Sequence, residues 1–193
     1  AGTTVLVRDA RGLVTQTSDG RGVVANMAYD AAGRLLSVSY LAAPAEDAAY
    51  GYDNTNAGNS GIGRLTSIAD QSGLLRWSYD AFGRVKADRR NIGANLYLTS
   101  YAYTAAGDVA EITYPSGRIV SYTRNSLGQV TAVTTQANAA APVFTVASGI
   151  TWQPMSGLIS NLVHGNGLVT QALYDLDYRL DSLRLKDGAG FVS

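Results

Sequence analysis

A chain of 193 residues, 46% hydrophobic and 16% charged, has the apolar content for a sizeable domain or a run of repeats and is not a disordered polymer. Fifteen basic and fifteen acidic side chains cancel, so no net field draws nucleic acid or anionic lipid, and the lack of cysteine removes disulfides, thiol catalysis and thiolate metal sites. No basic-then-apolar segment opens the chain, and no apolar run approaches the ~18 residues of a membrane helix, so neither nucleic acid nor a membrane span is expected.

Twenty-one glycines, and twelve tyrosines against three phenylalanines, favour short strands joined by frequent turns. In chain order an aromatic or basic residue followed by a polar one recurs at Arg8-Asp9, Tyr29-Asp30, Tyr52-Asp53, Tyr79-Asp80, Tyr103-Thr104, Arg124-Asn125, Trp152-Gln153 and Tyr174-Asp175. Successive copies are 21, 23, 27, 24, 21, 28 and 22 residues apart, a period just above twenty that is the mark of a repeat array. Most copies continue into a glycine, often with arginine after it: Gly33-Arg34, Gly63-Arg64, Gly83-Arg84, Gly107 and Gly128, with Tyr178-Arg179 in the last copy. Aspartate suits the first corner of a type I turn and glycine the left-handed position that closes it, so each phrase predicts a bulged hairpin.

Ten residues beyond several of these glycines comes another: 12 to 22, 63 to 73, 107 to 117 and 157 to 167, while Tyr178 keeps the interval to Gly188. Second turns are therefore expected at Asp19-Gly20, Gln71-Ser72-Gly73, Pro115-Ser116-Gly117 with Arg118 following, Gly165-Asn166-Gly167 and Asp187-Gly188, making each period two strands and two turns. After the first turns the second and fifth residues past the corner are usually apolar, as in Leu35 and Val38, Leu65 and Ile68, or Val109 and Ile112. Pieces so short and rich in β-branched residues do not make helices, and in a strand a spacing of three means either that both faces bury something or that a bulge intervenes. Tyrosines at alternate positions, Tyr50 with Tyr52 and Tyr101 with Tyr103, predict aromatic ladders as repeat-to-repeat packing. Arg34, Arg64, Arg84, Arg118 and Arg179 predict a ladder pairing with neighbouring turn aspartates or covering tyrosine faces, with anion binding along it the sharper alternative. Residues 41–49 predict one short helical turn after Pro44, 54–61 a widened turn, and 134–148 a small-residue excursion through Pro142. No linker divides the chain, so residues 1–193 read as a single run of about eight repeats within a longer array, whose end strands should be open edges.

Chemical constellations are sparse. His164 is the only histidine and sits beside a glycine turn; Asp175, Asp177 and Asp181 are near in sequence, but Asp175 already has a turn role. The Gly20-to-Ala25 phrase lacks a βαβ setting for a dinucleotide, and the Asp53-to-Gly58 phrase has Ala57 and Arg64 where a calcium loop needs ligands. No catalytic residue, cofactor or metal is expected.

These phrases resemble the YD repeats of the Rhs family, found in bacterial Rhs toxins, shell components of insecticidal toxin complexes, wall-associated proteins and teneurins. The resemblance rests on Tyr29-Asp30-x-x-Gly33-Arg34, Tyr79-Asp80-x-x-Gly83-Arg84, Tyr114-Pro115-Ser116-Gly117-Arg118 and Ser126-Leu127-Gly128-Gln129-Val130-Thr131, and covers nearly the whole chain. It implies an all-β fold of tandem antiparallel hairpins forming part of a spiral shell, with a structural role, no enzyme activity, and a secreted or bacterial cell-surface location. Implied partners are the remaining repeats of the parent protein and an enclosed toxin or effector. The alternative is an adhesin segment binding surface glycans, with a propeller glycosidase third. Departures from the family pattern are the lost tyrosine at Arg8, Arg124 and Trp152, the insertion after Tyr52-Asp53, and the absence of an Asp-Pro-x-Gly-Leu segment, which places autoproteolysis and any effector outside these residues.

Overall fold

The computed structural model describes residues 2–187 and 190–191. Its strands are β1 (Val5–Arg8), β2 (Val14–Ser18), β3 (Val24–Tyr29), β4 (Leu35–Tyr40), β5 (Ala48–Tyr52), β6 (Leu65–Asp70), β7 (Gly73–Tyr79), β8 (Val85–Ile92) and β9 (Asn95–Tyr103). They continue as β10 (Val109–Thr113), β11 (Ile119–Arg124), β12 (Val130–Gln136), β13 (Phe144–Trp152), β14 (Ile159–His164), β15 (Val169–Tyr174), β16 (Leu180–Asp187) and β17 (Gly190–Phe191). Among the described residues the only helical pieces are 3-10 turns at Pro44–Glu46 and Asn56–Gly58. The fold is all-β, and residues 33–40 and 107–114 form turn and strand with no helix.

Two units divide at Thr99 and Ser100, within β9. In the first, each strand from β1 to β7 pairs antiparallel with its successor. In the second, Ser100–Tyr103 of β9 pairs with β10, and each strand from β10 to β16 pairs with the next. Local hairpins of this kind need no crossover connection, which is what frequent glycine corners between short β-prone runs dictate.

The strand registers decide between the two readings of the three-residue apolar spacing. Tyr29 lies opposite Leu35, Ala28 opposite Ser37 and Met27 opposite Val38, so Leu36 is an extra residue and Leu35 and Val38 share a face. Matching shifts leave Thr15, Thr66, Lys86, Ala110, Thr131, Ser160 and Asp181 as the extra residues, each three positions past the left-handed corner. A bulge therefore returns in every copy. Hairpins closed by the second turns, such as β2–β3, β10–β11 and β14–β15, run in register without one. At several bulges a hydroxyl takes the carbonyl of the opposite strand: Thr66 Oγ1 donates to Gly51 at 3.0 Å and Thr131 Oγ1 to Thr123 at 3.3 Å.

Several expectations need correction. The Asp19-Gly20 turn extends to Gly22, the left-handed corner and the glycine of the 12-to-22 interval, because the Asp19 carboxylate accepts from the amides of Arg21 and Val23 and so fixes the turn as Asp19–Gly22. Gln71-Ser72 is a two-residue hairpin loop closed by the Asp70–Gly73 pair. The excursion at 134–148 shrinks to 137–143, because Thr134 and Thr135 stay in register with Thr145 and Phe144, where β-branched and aromatic side chains favour the ladder. Ala48 and Ala49 likewise belong to β5. The register places an aliphatic opposite the repeat tyrosines, Leu35, Leu65 and Val85 against Tyr29, Tyr52 and Tyr79, in place of an aromatic ladder. Gly188 lies outside the described residues.

Burial is thin. Among the described residues Ala25, Ile119, Ala147 and Ile150 are the buried apolar side chains and no large side chain is fully enclosed, while Val5, Leu6 and Val7 of β1 remain about half exposed. A half-buried Leu or Val contributes about 1 kcal/mol, so each strand depends on its neighbours on both sides more than on a common core.

Candidate functional site

The recurrent unit is the first turn with the strand ends that frame it. In the Asp30 copy, the amide of Gly33 donates to the Asp30 carbonyl at 3.1 Å and that of Asp30 to Arg34 at 2.9 Å; the Asp80, Thr104, Asn125 and Asp175 turns repeat this pair. The corner residue is left-handed throughout, with φ of 81° at Gly33, 80° at Gly83, 97° at Gly107 and 78° at Gly128. Tyr178, which stands where the last copy lacks glycine, adopts φ 61°. A tyrosine there is strained by about 1–2 kcal/mol relative to glycine.

Aspartate leads because its carboxylate caps the turn. Asp80 Oδ1 accepts from the amides of Phe82 and Arg84, both at 2.9 Å, and Asp175 does the same for Asp177 and Arg179. Asn125 keeps this geometry with its amide oxygen, and Thr104 Oγ1 accepts from the amide of Asp108 at 3.2 Å. For Asp19 and Asp30 the backbone amides of Val23 and Arg34 and then the arginine side chains Arg21 and Arg34 hold the carboxyl below its usual range. Partial desolvation pushes Asp9 and Asp80 up, but the amides of Leu13 and Arg84 and the arginine partners outweigh it, leaving both lowered.

The arginines divide in use. Arg34 binds Asp30 at 2.7 Å and Asp53 of the next copy at 2.6 Å, and its guanidinium lies 4.5 Å over the Tyr52 ring; the two aspartates, Asp53 foremost, raise its pKa. Arg64 covers Tyr79 at 5.7 Å, and Arg84 stays with Asp80 at 2.7 Å and the Phe82 ring. Arg118 reaches Thr135 Oγ1 at 3.3 Å, beside the Gly117 corner, and Arg179 pairs loosely with Asp177, both exposed. Arg34 and Arg64 thus each reach an aromatic ring of the following copy, and the Arg34–Asp53 bridge links two copies by charge.

Copies are also joined by a device the sequence reading missed. The ladder from β6 to β7 ends at Ser67–Arg76, so the strands part towards the first turn, and Tyr79 Oη donates across the gap to the Leu65 carbonyl at 2.6 Å. Tyr29 Oη reaches the Val14 carbonyl at 2.8 Å, and Tyr174 Oη reaches that of Ile159 at 2.9 Å. The copies without tyrosine keep the bond: Trp152 Nε1 donates to Val130 at 2.9 Å and Arg124 Nη2 to Val109 at 3.0 Å. Each acceptor is the second residue past a left-handed corner. The signal was present, because every leading residue among the eight copies, Arg8 through Tyr174, carries a side-chain N–H or O–H donor. Arg124 serves less completely, since its Nε is buried without a partner.

The insertion after Asp53 fills one such gap. Its Asn59, buried, accepts from the Tyr79 amide at 2.7 Å, and Ser60 N donates to the Tyr79 carbonyl at 3.2 Å. Asp53 itself is held by Arg34 and by the amide of Gly63 at 2.6 Å, so its carboxylate is spent on the turn. His164 opens the Gly167 turn and shares a 2.7 Å hydrogen bond with Thr170 Oγ1. Among the described residues no group of three or more His, Cys, Asp or Glu side chains is placed to hold a metal, and no helix is long and apolar enough to cross a membrane. Tyr103 closes β9 opposite Val109.

Residues 9–142 match the family described as Teneurin YD-shell. No curated protein matches in sequence. Among solved structures, the crystal structure of TcdB2-TccC3 is similar at TM-score 0.84 and 18% identity over 98% of this chain, and the TcdB2-TccC3-Cdc42 crystal structure at TM-score 0.82 and 19% identity over 96%. A Tc holotoxin pore of Photorhabdus luminescens is similar at TM-score 0.81 and 19% identity over 98%. The chain spans only 11%, 10% and 10% of those chains.

Proposed function

Because the chain belongs to the Teneurin YD-shell family, a family of structural shell domains, we propose that residues 1–193 are one stretch of the wall of a larger secreted or bacterial cell-surface shell, enclosing or presenting a toxin or effector. The wall residues in this reading are the turn phrases, from Tyr29, Asp30, Gly33 and Arg34 to Tyr174, Asp175 and Arg179. Their work is mechanical: the polar side chain that opens the turn fixes the corner, and the leading donors of Tyr29, Tyr79, Arg124, Trp152 and Tyr174 each tie a copy to the one before. The chain carries no catalysis of its own in this account, and the parent's remaining repeats are its first partners.

The observation that supports this reading most is the thin burial: four buried apolar side chains, with β1 pairing through one edge only among the described residues. Such a sheet gains stability when further strands continue it. Electron cryomicroscopy of the longer protein carrying this chain tests the reading. These strands should trace as part of a wall around a lumen that holds another polypeptide segment. A solid β-domain without a lumen would overturn it.

A further inference from the structure

The first unit carries a basic groove that the turn architecture does not use. It has a volume of about 300 Å³ and lies between the inserted loop and β7–β8, lined by Arg76, Lys86, Arg89, Asn54, Asn56 and Asn59. Arg76 and Arg89 stand directly opposite each other across the β7–β8 ladder. Like charges at opposed positions destabilise a strand pair, and among the described residues neither arginine nor Lys86 has an ion pair, while no carboxylate lines the groove. Asp88, on the intervening position of β8, is turned to Arg90 instead. The third cation comes from the repeat bulge, because Lys86 is the extra residue of the β7–β8 hairpin. The loop above is fixed from beneath by Asn59, which holds the Tyr79 amide, and at its crest Ala57 is left-handed at φ 54°, a conformation that alanine adopts only under constraint.

Three cations without an ion pair among the described residues, with Asn54 and Asn56 beside them, line one groove and match an oxyanion in charge and donors, since guanidinium and ammonium groups bind sulfate and phosphate by charge-assisted hydrogen bonds. We propose that this groove binds a sulfate or phosphate ester borne by a small polar ligand. The bound anion offsets the repulsion between Arg76 and Arg89, so binding and stability are linked: the site is less stable empty than occupied.

The test uses the 193-residue chain with three probes followed by nuclear magnetic resonance: a sulfated disaccharide, glucose 6-phosphate, and the unsulfated disaccharide. One or both charged probes should shift the Asn59, Arg76 and Arg89 resonances, more tightly at low salt, and the tighter probe identifies the ester. Lys86→Gln with Arg89→Gln should weaken binding about tenfold, while the melting temperature of the empty double variant holds or rises, a combination that a purely structural role would not give. Absence of shifts with both charged probes at millimolar concentration, equal binding by the unsulfated disaccharide, or undiminished binding by the variant would overturn the proposal.

Discussion

Tyr79→Phe isolates the bond that ties one copy to another. The phenol donates to the Leu65 carbonyl at 2.6 Å, is partly buried, and has a pKa raised by that burial. Its removal keeps the ring and the Arg64 contact but leaves the carbonyl facing a gap that the backbone ladder does not reach. A net hydrogen bond contributes about 1 kcal/mol, and an acceptor stranded in a half-buried site adds up to about as much again. Local opening of β6 against β7 should therefore become easier by about 1–2 kcal/mol, a factor of roughly 5 to 30 in the open population. Amide hydrogen exchange is the assay, because it reports local opening where a global melt averages over the array. Faster exchange is expected at Ser67–Asp70 and Leu74–Tyr79, with distant strands such as β14–β15 unchanged. Tyr52→Phe is the control: its ring lies under Arg34, and its hydroxyl has no hydrogen bond among the described residues. Equal exchange in Tyr79→Phe and Tyr52→Phe would refute the reasoning.

Other substitutions address the corner and the bulge. At Gly12, where an added methyl meets nothing, Gly→Ala should cost about 1–2 kcal/mol for the left-handed backbone alone. At Gly83 the new methyl also collides with the Arg64 guanidinium, adding about 0.5–1 kcal/mol for the displaced cation over Tyr79, while Tyr178→Gly should stabilise by about 0.5–1 kcal/mol; urea unfolding orders the three. Thr66→Val removes the buried hydroxyl on the Gly51 carbonyl and should cost about 1–2 kcal/mol, whereas Thr15→Val, exposed and 3.4 Å from its acceptor, should be near neutral in the same assay. Acid should weaken the first unit in particular. Asp9, Asp19, Asp30, Asp53, Asp70 and Asp80 all have lowered folded-state pKa values, so their contribution is complete above the unfolded value near pH 4 (about 3.9) and is lost as pH falls through the folded values. Melting temperature should be flat from about pH 5 to 7 and drop below about pH 4; a drop already complete at pH 5 would contradict this assignment.

Much of the fold was legible because its punctuation is local. Aspartate and glycine at fixed offsets fix a corner whatever surrounds them, so the copies at Tyr29 and Tyr79 could be counted before any contact was known. The bulge was half legible: Leu35 and Val38 announced a broken alternation, but only the register with Tyr29 and Met27 shows both on one face. The inter-copy bonds were hidden because the copies do not share tyrosine as a residue type. The shared property is a donor of sufficient reach, and Trp152 and Arg124 preserve it under different names. The basic groove was not legible because Arg76 and Arg89 become neighbours through register, and Asn59 joins them only through an insertion that the sequence presents as a mere widening.

The proposal that this sheet continues into further chain is tested most directly at β1, whose amides facing away from β2 have no described strand partner. Hydrogen exchange at those amides of Val5–Val7 that face away from β2 should be fast in the isolated 193-residue chain and slowed about a hundredfold or more in the longer protein, as a neighbouring strand takes them. Equal rates in the two would mean that β1 is a natural edge and that the wall account is wrong.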